Sequence, residues 1–355
     1  MSAPFIRDAI RELRAYTLEP REAPVKLDQN ESPFDFPPEL KREVEARVAS
    51  RGWNRYPDFE TERLRAAIAL RHGLGEENVL AGNGSNELLL AAITTFVSRG
   101  TEVVIPVPSF ALYEKLVTVA GGSVRRVPID PATGVIPADA LLESCRGCDS
   151  PPVVIVCSPN NPTGGVIAPD GIDRLLGSGA TVLLDRAYGE FDGADAPALH
   201  ERLVVLSTFS KAWGIAGLRV GWLASTEATC REIRKVKLPY NMNVFSEEAA
   251  IVALENAPLL EARVAAIVAE RERLAGTLAS IPGVRPYPSR ANFIAFETPL
   301  DAGVLFDDLL RAGVLVRNVS AYAGLQRCLR VGIGAPEENE RFIAALRAAL
   351  KERLS

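Results

Sequence analysis

The stretch STFSKAWGIAGLRVGW, from Ser207 to Trp222, places one lysine directly after an apolar run. Hydroxyl residues flank Lys211, small residues follow it, and Arg219 lies eight positions further along the chain. The preceding run, LVVLSTFS, is typical of a buried strand, where a surface lysine is not expected. The surrounding sequence indicates what a lysine does at the end of such a strand.

Between about residues 60 and 240, short β-branched runs alternate with helical stretches. Predicted helices include residues 86–98 and 109–121, and the predicted strands are 101–108, 123–129, 151–159, 181–188, 203–210 and 218–225. Several strands, such as 153–157 and 182–184, are apolar on both faces, as expected when helices cover a sheet on both sides. This alternation predicts an α/β fold with a mainly parallel sheet.

A chain of 355 residues is long enough for about two domains. Residues 46–250 carry the alternation and are predicted to form a large ligand-binding domain. Residues 251–355 begin with a long helical run and contain fewer strands, which predicts a smaller α+β domain. The proline-rich residues 1–45 are predicted to form an N-terminal arm that belongs to the small domain and covers the active site.

Composition argues against several classes of protein. A hydrophobic fraction of 47% is ordinary for a globular protein, and a net charge of −5 argues against nucleic acid as a partner. No signal peptide is predicted, and no apolar stretch reaches the ~18 residues of a membrane helix. Five cysteines, an odd number, do not indicate a disulfide framework, so we expect a cytoplasmic protein.

Metal and histidine chemistry are not expected. Cys145 and Cys148 form an isolated CxxC without a second pair, which favours a surface loop over a zinc site. The only two histidines are His72, at a predicted helix end, and His200, in a polar segment. Neither position favours histidine-based acid–base catalysis, so other residues must transfer any proton.

Polar residues follow the predicted strands at the edge where ligands of α/β sheets bind. They are Asn161, Asp185, Tyr188, Thr208, Ser210 and Lys211. Upstream, Gly82, Gly84 and Ser85 precede a predicted helix, whose free N–H groups and dipole favour an anion. A tight turn with a helix cap explains these glycines equally well.

Taken together, these segments resemble the fold-type I pyridoxal-phosphate (PLP) aminotransferases of class I and II, and among them the histidinol-phosphate aminotransferases. The resemblance implies a large domain with a mixed, mainly parallel sheet, a smaller α+β domain and PLP as cofactor. It runs in order through DQNESPF (28–34), RYPD (55–58), GNGSNE (82–87), PVPSFALY (106–113), SPNNPTGG (158–165), DRAYGEF (185–191), TFSKAWGIAGLRVG (208–221) and VLVRNVSAYAGLQRCLRVGIGAPEEN (314–339).

The resemblance implies three catalytic residues. Lys211 would hold PLP covalently and later move a proton, and Asp185 would keep the pyridine nitrogen of the cofactor protonated. Tyr188 would donate a hydrogen bond to the ring 3′ oxygen. The other implied ring contacts are Asn161 at the same oxygen and Phe110 and Ala187 on the two faces.

The cofactor phosphate needs several donors and at least one cation. The resemblance implies that these groups come from Gly84, Ser85, Asn86, Thr208, Ser210 and Arg219. It also implies that Tyr56, in RYPD, reaches this phosphate from a neighbouring subunit. The implied assembly is a homodimer with active sites at the interface.

Two arginines bear on the substrate. Arg330 matches the family's arginine that binds a carboxylate through two hydrogen bonds, and Arg317 matches a second arginine of the histidinol-phosphate enzymes. The pair would accept both glutamate and an amino-alcohol phosphate, with Tyr16, Asn30 and Asn161 completing the substrate site. The implied reaction belongs to histidine biosynthesis and interconverts histidinol phosphate and 2-oxoglutarate with imidazole-acetol phosphate and glutamate.

Departures from the family pattern leave the substrate open. They are Arg186, Ser207, Phe110 and Trp222, none of which removes a residue of the cofactor chemistry. Aromatic amino-acid transamination and decarboxylation of threonine phosphate remain alternatives on the same framework. A ligand sensor is disfavoured because no basic helix-turn-helix extension is present. A dinucleotide oxidoreductase is disfavoured because GNGSNE lacks the G-x-G-x-x-G spacing.

Overall fold

The computed structural model describes residues 5–15, 20–149 and 151–354. Its helices are α1 (Asp8–Arg11), α2 (Pro38–Ala49), α3 (Glu62–His72), α4 (Gly84–Phe96), α5 (Leu112–Ala120), α6 (Ala138–Arg146), α7 (Pro169–Gly177), α8 (Glu227–Arg234), α9 (Val244–Glu255), α10 (Ala257–Ala279), α11 (Ala302–Arg311) and α12 (Pro336–Leu354). Its strands are β1 (Val25–Lys26), β2 (Val79–Asn83), β3 (Glu102–Val107), β4 (Ser123–Pro128), β5 (Val153–Cys157), β6 (Thr181–Asp185), β7 (Leu203–Thr208), β8 (Val220–Ala224), β9 (Arg285–Pro286), β10 (Phe293–Glu297), β11 (Val314–Leu315), β12 (Arg317–Asn318) and β13 (Cys328–Gly332).

The central sheet has seven strands in the order β2-β8-β7-β6-β5-β3-β4. The pairs from β7 to β4 are parallel, whereas β8 is antiparallel to both β2 and β7. The predicted mixed, mainly parallel sheet is therefore confirmed. Strand β2 is not predicted from the sequence, because its LAGN segment lacks the β-branched residues that identify the other strands.

Helices cover the central sheet on both faces. Along β5, Val153 and Ile155 belong to an apolar cluster that includes residues of α4, α5 and α8, while Val154 and Val156 belong to another that includes residues of α6 and α7. This alternation follows the two-residue period of a strand and leaves every β5 side chain buried. The prediction that β5 is apolar on both faces is confirmed.

The long helical run after residue 246 divides at Asn256 into α9 and α10. Pro258 lies in the first turn of α10, where its missing N–H leaves no intrahelical bond unmade. Continuing α9 through Pro258 would have removed a bond from the helix interior. No helix among the described residues has the length and apolar character needed to cross a membrane.

The C-terminal part builds a second sheet, in the order β12-β13-β10-β9, with all pairs antiparallel. The N-terminal residues join this part, because β1 pairs in parallel with β11. Val25, Leu27 and Phe36 are buried, as is the apolar face of α2. The proline-rich segment thus contributes to the core as well as running beside the site. The predicted boundaries at residues 45 and 250 stay predictions.

Candidate active site

A cavity of about 280 Å³ opens at the carboxyl ends of the central strands, where β5, β6 and β7 end at Cys157, Asp185 and Thr208. This is where a parallel sheet exposes the polar residues that follow each strand. The sequence-predicted residues lining it are Asn30, Ser85, Asn86, Phe110, Asn161, Asp185, Ala187, Tyr188, Thr208, Ser210, Lys211, Arg219, Arg317 and Arg330. A larger cavity, of about 530 Å³, lies beside Trp213 and α10 and contains none of them.

Lys211 is half-buried in this cavity, and its Nζ donates to the backbone oxygen of Gln29 at 2.8 Å. Burial, together with the charge of Arg330, lowers the pKa of Lys211 to about 8. An amine with this pKa is partly neutral near pH 7, and the neutral form is the nucleophile. The structure therefore places a reactive amine at the end of the β7 segment.

Asp185 is the last residue of β6 and is almost completely buried. Its Oδ2 accepts from the Tyr113 hydroxyl at 2.7 Å, and its Oδ1 accepts from the backbone N–H of Ala187 at 2.9 Å. Burial raises the pKa of Asp185, and the two hydrogen bonds oppose that shift. A buried carboxylate with donors on both oxygens is suited to hold a cationic nitrogen.

Tyr188 and Asn161 approach the cavity from the segments after β6 and β5. The Tyr188 hydroxyl accepts from Asn30 Nδ2 at 3.0 Å, and Asn161 Oδ1 accepts from Arg330 Nη1 at 2.6 Å. Burial raises the pKa of Tyr188, so its hydroxyl stays protonated. Phe110 packs edge-on against the Tyr113 ring at 5.6 Å.

The N-terminus of α4 and the segment after β7 form a cluster of donors around Ser85 and Asn86. Thr208 Oγ1 lies 3.0 Å from Ser210 Oγ, which in turn accepts from Arg219 Nη1 at 3.1 Å. Free N–H groups at a helix start, two hydroxyls and a guanidinium form an anion site. Gly84 does not line the cavity but makes room for this cluster: a Cβ there would lie 2.6 Å from Arg219 Nη2.

Arg317 and Arg330 occupy paired positions on the antiparallel strands β12 and β13. Arg330 is buried, and its Nη2 donates to the backbone oxygen of Asp28 at 2.6 Å. The side chain of Arg317 makes no hydrogen bond or ion pair with any residue that the structure describes. The cavity that contains Lys211 is therefore cationic where β12 and β13 line it.

The N-terminal segment closes the cavity through Asp28, Gln29 and Asn30. Asn30 has a left-handed φ of 54° and is buried, and its backbone oxygen accepts from Asn292 Nδ2 at 3.0 Å. Its side-chain Oδ1 is buried without a hydrogen-bond partner in the described part of the chain. Such an unsatisfied acceptor at the cavity is consistent with a ligand donor.

Tyr56, one of the predicted site residues, lies elsewhere. Tyr56 is 82% exposed and stacks on Tyr240 at 4.8 Å, outside the cavity of its own chain. Tyr16 lies outside the described residues. Several residues that line the cavity are not predicted from the sequence, and these are Asp28, Gln29, Tyr113, Cys157, Val319 and Tyr322. Asp28 and Gln29 belong to the quoted DQNESPF segment and Tyr113 to PVPSFALY, but Gln29 contributes through its backbone, which no sequence motif reveals.

Both histidines and the CxxC pair lie outside the lining of this cavity, whereas Cys157 belongs to it. Cys145 is buried on α6, so the predicted surface loop is wrong at that position: the apolar face of the helix includes the thiol. His72 packs against the Trp222 ring and His200 accepts from the Arg202 N–H. No cluster of three or more metal-ligating side chains occurs among the residues described.

The cavity thus offers a reactive amine, a buried carboxylate and an anion site within one volume. These groups match an aldehyde, a protonated ring nitrogen and a phosphate respectively. Gly221 keeps the anion site open, because a Cβ there would lie 2.3 Å from the Ser85 backbone nitrogen. The donor set fits pyridoxal phosphate.

Comparison with known proteins also indicates an aminotransferase. The family described as aminotransferase class I and II matches residues 22–346. Two relatives named histidinol-phosphate aminotransferase come from Chlorobium phaeovibrioides and Aquifex aeolicus. The first is 39% identical to this chain, and the match covers 97% of this chain and 96% of the relative. The second is 38% identical, and the match covers 98% of both chains.

Solved structures agree in fold. A histidinol-phosphate aminotransferase from Sinorhizobium meliloti, in complex with pyridoxal-5'-phosphate, superposes with a TM-score of 0.88 at 25% identity over 99% of both chains. A histidinol-phosphate aminotransferase from Clostridium acetobutylicum superposes with a TM-score of 0.83 at 25% identity, over 92% of this chain and 99% of the other.

Proposed function

Because the chain belongs to the class I and II aminotransferase family, we propose that it is the aminotransferase that interconverts histidinol phosphate and 2-oxoglutarate with imidazole-acetol phosphate and glutamate. The family membership confirms the prediction of an aminotransferase with PLP as its cofactor. The substrate assignment rests on one observation: Arg317 and Arg330 are paired in the cavity that contains Lys211.

PLP, when bound, supplies an electron sink that stabilises negative charge on the substrate carbon. We assign its phosphate to Ser85, Asn86, Thr208, Ser210 and Arg219, which cluster at the start of α4. These donors would anchor the cofactor in the cavity that also contains the arginine pair. Asn161, Tyr188, Phe110 and Ala187 would hold and orient its ring.

Lys211 is assigned the covalent attachment and the proton transfer. Its Nζ is held by a neutral acceptor, the Gln29 carbonyl, so no carboxylate fixes it as a cation. The pKa of about 8, which burial lowers, lets the amine take up and release a proton near neutral pH. No histidine lines this cavity, and with Lys211 none is needed.

The arginine pair supports a phosphorylated substrate. Like charges on directly opposed residues of neighbouring strands destabilise a sheet unless an anion offsets them. One guanidinium is enough for the carboxylate of glutamate, whereas a phosphate dianion takes donors from two. Arg317, with no partner among the described residues, is the second cation that a phosphate requires.

The experiment compares kcat/KM for histidinol phosphate, histidinol and phenylalanine, with 2-oxoglutarate as amino acceptor. Histidinol is the matched control, since it lacks only the phosphate. We expect its kcat/KM to be more than roughly 100-fold lower, since hydrogen bonds to charged groups contribute about 1.5–3 kcal/mol each. Equal kcat/KM values for histidinol and histidinol phosphate, or a higher value for phenylalanine, would contradict the proposed substrate.

We further propose that the enzyme is a homodimer. An exposed patch formed by Tyr56, Phe59, Leu238 and Tyr240 lies at the surface, with Tyr240 contacting both other rings. Exposed aromatic clusters of this kind mark protein interfaces. Tyr56 lies on this patch and not in the cavity of its own chain, which supports a contact with the site of a second copy.

The five cysteines, all unpaired thiols, support a cytoplasmic location. This location is part of the same proposal.

A further inference from the structure

Tyr113 lies on α5 with its side chain completely buried. Its hydroxyl is 2.7 Å from Asp185 Oδ2, a contact across 72 residues of sequence. The other carboxylate oxygen of Asp185 accepts from the Ala187 backbone at 2.9 Å. Donors on two different segments therefore hold the two oxygens, which fixes the plane of the carboxylate.

The direction of this hydrogen bond follows from acidity. A phenol is a much weaker acid than a carboxylic acid, so the proton remains on Tyr113 while Asp185 is the acceptor. Burial and the charge of Asp185 both raise the pKa of Tyr113 further. The hydroxyl is therefore protonated and a donor near neutral pH.

The other titratable groups near Asp185 are neutral or hydrogen-bond to other groups. Cys157 on β5 and Tyr188 after β6 both have a pKa raised by burial, so neither carries charge near pH 7. Lys211 and Arg330 line the same cavity, but neither forms an ion pair with Asp185. The Tyr113 hydroxyl is thus the only side chain among the described residues that hydrogen-bonds this carboxylate.

Resting on the proposed function, we infer that Tyr113 is a positioning residue that holds Asp185 as an oriented anion for the ring nitrogen of the cofactor. Burial favours the neutral acid, which could not stabilise a protonated ring nitrogen. The Tyr113 hydroxyl stabilises the anion in place of the lost water. Tyr113 acts through Asp185, and it does so from a helix that the family resemblance did not single out for this task.

The test measures the affinity of the apoprotein for PLP as a function of pH in wild type and Tyr113→Phe. Affinity falls as pH drops through the pKa of Asp185, because the protonated acid no longer favours a ring cation. Loss of the donor raises that pKa. We therefore expect the fall to begin about one pH unit higher in Tyr113→Phe, which is tenfold in affinity at any pH below the step.

Tyr287→Phe is the matched control, because Tyr287 is also a buried tyrosine whose hydroxyl contacts a buried side chain, that of Cys328. Its affinity curve should coincide with that of wild type. Superimposable curves for wild type and Tyr113→Phe would overturn the inference, and so would an equal shift in Tyr287→Phe.

The double variant Tyr113→Phe/Asp185→Asn covers the case in which Tyr113→Phe alone is unstable. It removes the buried charge together with its donor, so no ionised carboxylate is left without its donor. If Tyr113 acts through Asp185, the double variant binds PLP as Asp185→Asn does and lacks the acid-side step of wild type. An additive loss of affinity contradicts the inference. The readout is cofactor binding, so a failure to turn over histidinol phosphate would leave it intact.

Discussion

Arg317 and Arg330 occupy directly opposed positions on antiparallel strands, and both line the cavity that contains Lys211. Opposed like charges destabilise a sheet by a few tenths of a kcal/mol to about 1 kcal/mol relative to a neutral pair. An anion bound between the two guanidinium groups would attract both and so replace this repulsion with a stabilising interaction. We therefore expect the protein to be more stable with an anion bound at this pair than without one.

Inorganic phosphate should raise the melting temperature of the cofactor-loaded protein. At ten times its Kd the stabilisation is about 1.4 kcal/mol. Arg317→Ala should lose most of this effect, because one of the two cations is gone. Differential scanning calorimetry in phosphate and in chloride of equal ionic strength separates binding from screening, and an equal response of both proteins would contradict the assignment.

Arg317→Ala should lower kcat/KM for histidinol phosphate by about 1.5–3 kcal/mol of transition-state binding, or roughly 10- to 150-fold. The value for glutamate should change less, since Arg330 remains. Arg317→Lys keeps the charge but not the planar fork, so it should fall between wild type and Arg317→Ala. Equal losses for both substrates would show that Arg317 does not select the phosphate.

Capture of PLP by the apoprotein should accelerate as pH rises through about 8, the pKa to which burial lowers Lys211. The sign follows because the amine is nucleophilic only after losing its proton. Stopped-flow absorbance measures the rate against pH. Arg330→Gln removes a nearby positive charge and should shift the inflection upward, whereas Lys211→Ala should show no covalent capture; an inflection near 10 in wild type would refute the assignment.

Glu247→Gln should stabilise the protein at pH 8. Glu247 is fully buried, and neither carboxylate oxygen has a hydrogen-bond partner in the described part of the chain. Burial, aided by Asp58, raises its pKa from 4.5 to about 7. The pKa of Glu247 is higher in the folded state than in the unfolded state. The stabilising contribution of protonated Glu247 is therefore complete below about pH 4.5 and is lost as pH rises to 7. This contribution amounts to about 3 kcal/mol.

Chemical denaturation at pH 5 and pH 8 checks this effect. The gain from Glu247→Gln should be largest at pH 8 and small at pH 5. Glu248→Gln is the matched control, since the adjacent Glu248 accepts from Arg63. That variant should lose stability at pH 8, and a gain in both variants would point to a general effect of charge.

Leu238→Asp should convert the proposed dimer into monomers, because it places a charge in the exposed patch around Tyr56. Val304→Asp is the control: Val304 is also partly exposed, but it lies on α11, which packs against the C-terminal elements. Light scattering after gel filtration gives the mass of each variant. A monomeric wild type, or dissociation of both variants, would contradict the assigned interface.

The contact between Tyr113 and Asp185 could not be predicted from the sequence. Within SFALYEKL, Tyr113 looks like one more apolar position of a helix, and the residue it contacts is 72 positions away. The Gln29 carbonyl that holds Lys211 is similarly hidden, because a backbone atom carries no residue signature. The opposed register of Arg317 and Arg330 depends on how β12 pairs with β13, which the spacing of thirteen residues does not specify.

The sequence by itself determined the α/β class, the central strands with two apolar faces, and the polar residues that follow β5, β6 and β7. These are local properties: side-chain period and strand ends depend on neighbouring residues. Only the tertiary structure decided which groups hold those residues in place, as Tyr113 does for Asp185 and Gln29 for Lys211. Such contacts join distant segments, and their geometry is set by how the helices and both sheets pack around the cavity.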